Sequence, residues 1–163
     1  RDDVESRGLG DVYKRQNIEG LALKNQLCFP LYACAKEIVR AYQPLLEPLN
    51  LTYTQYIVMM VLWEHSHLNV KSLGEYLYLD SGTLTPLLRK MEAKGFLTRT
   101  RSKEDERTVI ISITDEGRAL QQRVAHVPQA MAQVVDLTEE EFTTMYKLLY
   151  KMIAQLTGRE QKV

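Results

Sequence analysis

With 163 residues, 45% of them apolar, the chain is sized for one compact domain, and it has no apolar run near the roughly 18 residues a membrane helix needs. Its 21 basic and 21 acidic residues cancel, so whole-chain charge gives no reason to expect a nucleic-acid partner, and such a role has to rest on a local excess. This composition fits a globular protein of the cytoplasm.

The first sixteen residues, RDDVESRGLGDVYKRQ, stand apart from the rest. They have no initiator Met, and DVYKRQ can be encoded as GAT GTG TAT AAG AGA CAG, which resembles a transposase-adapter sequence used in library preparation. Residues 1–16 are therefore expected to be an adapter-derived artefact rather than a signal peptide, which would need an apolar stretch. Residues 17–163 are expected to form a single domain beginning near Asn17.

Pro30 belongs in a first helical turn, which places Cys28 near a helix N-terminus, where unpaired N–H groups and the dipole favour thiolate. The plainer reading of a cysteine among apolar residues is a small buried hydrophobe. On one helix Cys28 and Cys34 would be rotated by about 240° and separated by about 9 Å of rise, beyond disulfide reach, which agrees with a reducing compartment. From about Phe29 to Leu49, Leu31, Ala35, Ile38, Tyr42, Leu45, Leu46 and Leu49 recur at helical spacing, and a second helix from Tyr53 holds Ile57, Val58, Val61 and Leu62.

Asn69 can cap a short helix whose Val70, Leu73, Tyr76 and Leu77 pack inward, with YLD as a tight connection to the next helix. There, with Leu84 at zero on a helical wheel, Leu87, Leu88 and Met91 lie within about 60° of it and must face a core. The opposite side offers Gly82, Pro86 and Arg89 beside Thr83, Thr85 and Lys90, a small, hydroxylic and basic face suited to a DNA groove. Pro86 is expected in or near the first turn, because deeper in it removes a backbone bond.

Gly95 can end this helix as a left-handed cap, and two alternating strands follow: Phe96 to Arg101, then Val109 to Ile113. Between them SKEDER makes a charged tip with Lys103 and Arg107, and Asp105 would share a side with Arg107 if the strand extends that far. Helix, turn, helix and basic hairpin is the winged helix-turn-helix order. The bland alternative is a solvated helix and hairpin, but Ser81 to Arg107 hold seven basic residues against four acidic, a local net of +3. Thr114 with Asp115 and Glu116 starts another helix, and Thr138 with Glu141 forms a capping box for the last, whose Phe142, Met145, Tyr146, Leu149, Met152, Ile153 and Leu156 make an apolar face. Burial of that face against a second copy predicts a homodimer whose recognition helices meet major grooves about 34 Å apart.

From about Leu23 to Leu156 the sequence resembles the multiple-antibiotic-resistance regulator (MarR) family, and within it the organic hydroperoxide resistance repressors. The runs carrying the resemblance are NQLCFPLYACAKE at 25–37, AYQPLL at 41–46, LTYTQY at 51–56, LWEH at 62–65, LYLDSGTLTPLLRKME at 77–92 and RSKEDERTVIISIT at 101–114. It implies a mainly α fold with a small hairpin wing, in which 17–50 and 115–163 supply dimerisation helices and 51–114 the DNA-binding head. It further implies a repressor that binds double-stranded operator DNA and senses organic hydroperoxide, with Cys28 as the reactive thiol and Tyr42 and Tyr53 as its hydrogen-bond partners. The plainer reading of those tyrosines is amphipathic core residues with satisfied hydroxyls. On one straight helix Tyr42 would lie about 21 Å from Cys28, so any phenol contact most simply comes from the other subunit.

The expected DNA-binding residues are Ser81, Thr83, Thr85, Arg89, Lys90, Arg99, Arg101, Asp105 and Arg107. Oxidation of Cys28 to sulfenic acid, with capping by a low-molecular-weight thiol, is expected to release the operator. Residues 35 to 163 hold no resolving cysteine, and Cys34 has no assigned part. Two rivals stand beside this reading. One is a repressor of the same fold that responds to a phenolic or apolar ligand; the other is a thiol peroxidase, against which Cys28 lacks a Thr-x-x-Cys setting. No enzyme, cofactor or metal site is expected: His65 and His67 sit about 200° apart on a helix, His126 is distant, and no phosphate loop, Ser-His-Asp set or carboxylate pair stands out.

Overall fold

The computed structural model describes residues 20–158, so the expectation for residues 1–16 lies outside it. Its helices are α1 (Cys28–Leu46), α2 (Tyr53–His65), α3 (Val70–Leu77), α4 (Ser81–Ala93), α5 (Asp115–Arg123), α6 (Val127–Val135) and α7 (Glu139–Thr157), and its strands are β1 (His67–Asn69), β2 (Leu97–Arg101) and β3 (Val109–Ile113). The chain divides into two compact units, Arg1–Arg40 and Ala41–Val163, the division falling within α1.

In the first unit a 3-10 turn at Leu23–Asn25 precedes α1, which opens on Cys28. Pro30 is its third residue, inside the first turn where a missing N–H costs nothing.

The second unit holds the head. A capping box starts α2: Gln55 N donates to Thr52 Oγ1 at 3.3 Å and Thr52 N donates to Gln55 Oε1 at 3.2 Å. Val58, Met59 and Leu62 of α2 are fully buried, against a core that includes Leu73, Leu84, Leu88, Met91, Leu97 and Ile111. Asn69 caps α3 by accepting from Ser72 N at 2.7 Å, and Asp80 caps α4 by accepting from Thr83 N at 2.8 Å. The apolar stripe of α4 lies as its spacing predicts, with Leu84, Leu88 and Met91 buried and Leu87 half-buried.

Pro86 departs from expectation: it is the sixth residue of α4, in the second turn. Its ring removes the bond to the Gly82 carbonyl, but both residues are exposed, so solvent can satisfy that oxygen. The helix ends in a Schellman motif, with Gly95 at φ +77°, Gly95 N donating to Glu92 O at 2.9 Å and Phe96 N to Met91 O at 3.1 Å.

The sheet also differs from the expected hairpin. It has three antiparallel strands in the order β1-β3-β2, with Leu97 opposite Ile113 and Arg101 opposite Val109 across the hairpin. The extra strand, β1, places His67 opposite Ser112 and Asn69 opposite Ile110. At three residues, with no run of β-branched side chains, β1 carries no local strand signal; its partner supplies the structure.

Thr114 caps α5 as predicted, accepting from Gly117 N at 3.1 Å. A Cβ on Gly117 would stand 2.2 Å from the Phe96 carbonyl oxygen and 2.9 Å from Ile113 Cγ1, and a backbone oxygen cannot give way cheaply. Gly117→Ala is therefore expected to destabilise the head by about 1–3 kcal/mol, read as a lower urea midpoint at unchanged slope; an unmoved midpoint contradicts this packing. The predicted capping box of α7 is present, with Thr138 N donating to Glu141 Oε2 at 2.9 Å. No residue of α7 is buried within the chain, and Phe142, Leu148 and Leu156 are 56%, 55% and 81% exposed.

Candidate nucleic-acid interface and sensor residues

Helices α3 and α4 and the β2–β3 hairpin frame an open cleft of about 860 Å³. Its charged lining is Lys71, Arg89, Arg99, Arg101 and Arg107 against Glu75 alone, so four of the seven basic residues counted from the sequence, Arg89, Arg99, Arg101 and Arg107, converge on one concavity. Thr83, Arg89 and Lys90 are exposed on the sides of α4 away from its buried stripe, Ser81 is exposed at the first residue of the helix, and Thr85 is half-buried at the cleft wall. Arg89, Lys90, Lys103 and Arg107 have no side-chain hydrogen-bond or ion-pair partner among the described residues, which leaves four cations free to meet a polyanion.

Arg99 and Arg101 are placed differently. Arg99 Nε donates to Glu92 Oε2 at 2.9 Å and its backbone N to Glu92 Oε1 at 3.0 Å, so this residue bolts β2 to α4. Arg101 Nη1 donates to the Glu106 carbonyl at 2.7 Å, closing the wing on itself. Both remain on the cleft wall.

Those bonds from Arg99, its side chain first, hold the Glu92 carboxyl below its usual value of 4.5. A depressed carboxylate stabilises the fold above its unfolded value and loses that contribution as pH falls through the lower folded value. Acid titration below about pH 4.5 is thus expected to lower the thermal stability of the native protein more steeply than that of Glu92→Gln. Parallel slopes would show the anchor is idle.

Asp105 and Arg107 do not share a strand face, because β2 stops at Arg101 and β3 resumes only at Val109. Asp105 instead shapes the tip: Oδ1 accepts from Arg107 N at 3.0 Å and Oδ2 from Thr108 Oγ1 at 2.9 Å. Its carboxylate is occupied within the turn from which Arg107 projects. Lys71 and Thr108 also line the cleft and were not singled out from sequence. Lys71 was findable, since the inward set Val70, Leu73 and Leu77 leaves it on the outer side of α3.

The sensor candidates fall in both units. In the first, Cys28 and Cys34 are exposed free thiols, and Cys28 opens α1. In the second, the rings of Tyr42 and Tyr53 approach to 4.9 Å between centroids, and Tyr56 joins Tyr42 at 5.9 Å. Tyr56 was missed, although its i, i+3 relation to Tyr53 places both on one side of α2. Burial first, and Tyr53 second, raise the Tyr42 phenol above its usual 10.0, and burial raises Tyr53. Both therefore stay protonated at physiological pH and can donate to an anion. Tyr56 stacks edge-on against Trp63 at 6.3 Å, whose Nε1 donates to the Gly117 carbonyl at 2.9 Å.

Among the described residues no group of three or more His, Cys, Asp or Glu is arranged to hold a metal, and no helix is long and apolar enough to cross a membrane.

Residues 40–124 match the family described as transcriptional regulator SarA/Rot. The chain is 46% identical to the organic hydroperoxide resistance transcriptional regulator of Bacillus subtilis over 83% of its own length and 92% of that protein. It is 40% identical to the regulator SarZ of Staphylococcus epidermidis over 85% of its length and 93% of that protein. Among solved structures, reduced AbfR bound to DNA superposes with a TM-score of 0.72 at 32% identity, covering 87% of this chain and 99% of that one. A cysteine-to-serine variant of Escherichia coli MarR complexed with operator DNA gives 0.71 at 27% identity, covering 77% and 92%.

Proposed function

The chain belongs to the MarR family of winged-helix transcriptional regulators, in its organic hydroperoxide resistance branch, and from that membership we propose a repressor that releases its operator when Cys28 is oxidised. One observation carries this reading: a chain 46% identical to a hydroperoxide-resistance regulator has an exposed free thiol at the first residue of α1 and a pair of phenols held protonated at 4.9 Å.

Two copies associate through their N- and C-terminal helices, covering the apolar side chains that α7 leaves exposed. Each head lays α4 in a major groove, with Ser81, Thr83, Thr85, Arg89 and Lys90 toward the DNA, and sets the tip carrying Arg107 against phosphates or the narrow minor groove. Arg99, Arg101 and Asp105 hold the helix and wing in the shape that does this.

In the reduced dimer Tyr42 and Tyr53 of one subunit donate to the Cys28 thiolate of the other. An organic hydroperoxide gives its distal oxygen to that sulfur: the S–O bond forms, the O–O bond breaks, and the alcohol departs after protonation. A low-molecular-weight thiol then condenses with the sulfenic acid, giving a mixed disulfide and water. Loss of the anion, and the added bulk, end the phenol contacts and shift the heads. Each thiolate is consumed once per peroxide, so the chain acts in the cytoplasm as a regulator and not as an enzyme.

Titrating the operator complex with cumene hydroperoxide tests this. The expected result is release near one equivalent per subunit, reversed by dithiothreitol. Release by an apolar phenol with no response to peroxide establishes the ligand-sensing rival, and sustained peroxide turnover establishes the peroxidase.

A further inference from the structure

The recognition face of α4 carries hydroxyls, but two of them have already spent their protons. Thr83 Oγ1 donates to Asp80 Oδ2 at 3.1 Å, and Thr85 Oγ1 donates to the Ser81 carbonyl at 2.7 Å. Neither bond can run the other way, because a carbonyl and an ionised carboxylate only accept. Asp80 is held ionised, its carboxyl lowered first by the Thr83 backbone N–H and next by the Thr83 hydroxyl. With Oδ1 on Thr83 N, both Asp80 oxygens serve the cap.

With those protons committed, what these two residues have left for a groove is a methyl group and oxygen lone pairs, not a donor. Pro86 adds an exposed ring between them and Arg89, and Gly82 adds no side chain. Ser81 keeps the one hydroxyl of this turn with no bonded partner among the described residues. A surface of methyls and ring carbons fits the major-groove edge of thymine, whose C5-methyl is the apolar feature there, and does little for the N7 and O6 acceptors of guanine.

Resting on the reading of α4 as the recognition helix, we infer that Thr83 and Thr85 are specificity-determining residues that select thymine through its C5-methyl. Guanine reading falls to Arg89, one turn further along the helix. Operator half-sites then carry thymines where the first two turns of α4 meet the groove.

The test begins by selecting duplexes from a random-sequence double-stranded library with the reduced full-length protein. The thymines of a selected duplex are then replaced one at a time by deoxyuridine, which deletes only the methyl. Affinity is expected to fall about three- to tenfold at one or two thymines per half-site and to be unchanged elsewhere. Thr83→Ser and Thr85→Ser keep the internal bond and lose the methyl, and each is expected to abolish the thymine-to-uracil difference at its own position. Thr83→Val keeps the methyls and is expected to retain it. Indifference to deoxyuridine everywhere, or a difference that survives both serine variants, overturns the inference while leaving the repressor reading intact. Selection of no duplex overturns both.

Discussion

Cys28→Ser is expected still to bind the operator, its neutral oxygen accepting from the phenols more weakly than a thiolate, and to stay bound through a cumene hydroperoxide titration that strips the native complex. A serine hydroxyl has the size to occupy the same place at the start of α1, but it is not ionised at neutral pH and its oxygen accepts no oxygen from a peroxide. To move the native operator from nearly full to nearly empty requires about 5.5 kcal/mol of differential stability, close to a 10⁴-fold change in affinity. Two lost charge-assisted phenol bonds supply about 3–6 kcal/mol per sensor, and each dimer has two sensors. The variant forfeits that entire response, so its affinity should change by less than about threefold across the titration. Cys34→Ser serves as the control: six residues further along α1 and also exposed, it should respond as the native chain does. If Cys34→Ser is the silent variant, the sensor has been assigned to the wrong sulfur. Tyr42→Phe and Tyr53→Phe remove only the donors, and each should weaken the reduced complex by about 1.5–3 kcal/mol per site without abolishing oxidation of Cys28.

The second large effect belongs to the wing. Arg107→Ala should lower operator affinity about equally across DNA sequences and flatten the dependence of log affinity on log salt by about two, one contact per head. The reason is geometric: Asp105 commits both carboxylate oxygens to the turn, and the Arg107 side chain has no hydrogen-bond or ion-pair partner among the described residues. Asp105→Ala should reproduce much of this loss without removing any positive charge, because it frees the tip. Arg89→Ala should behave otherwise. On the exposed face of α4 it is positioned for base edges, so it should cost about 1–3 kcal/mol per head and relax sequence preference. Equal salt slopes for native protein and Arg107→Ala would remove the wing from the interface.

The features legible in the sequence were those written in local chemistry. The caps at Asn69, Thr114 and Thr138, the left-handed Gly95 and the stripe Leu84–Leu88–Met91 depend on neighbours a few residues away, and the structure has them where the spacing placed them. The rest depends on partners in other elements of the fold. Strand β1 exists because Ile110 to Ser112 lie beside it, more than forty residues later. Arg99 read as a free cation until Glu92, on another element, took its Nε. Pro86 was misplaced because the rule against interior proline ignores how cheaply an exposed turn satisfies its spare carbonyl. Among the sensor residues, helical spacing alone could pair Tyr53 with Tyr56; the approach of Tyr42 to Tyr53 required the fold.

Occupancy of the operator and the mass of the Cys28 peptide, followed together as cumene hydroperoxide is added in fractions of an equivalent, test the sensing step most directly. Bound DNA is expected to fall in step with conversion of the Cys28 thiol to sulfenic acid or its thiol adduct, with Cys34 unchanged while that happens. DNA released with Cys28 still a thiol, or retained with Cys28 fully oxidised, would rule out Cys28 as the sensor.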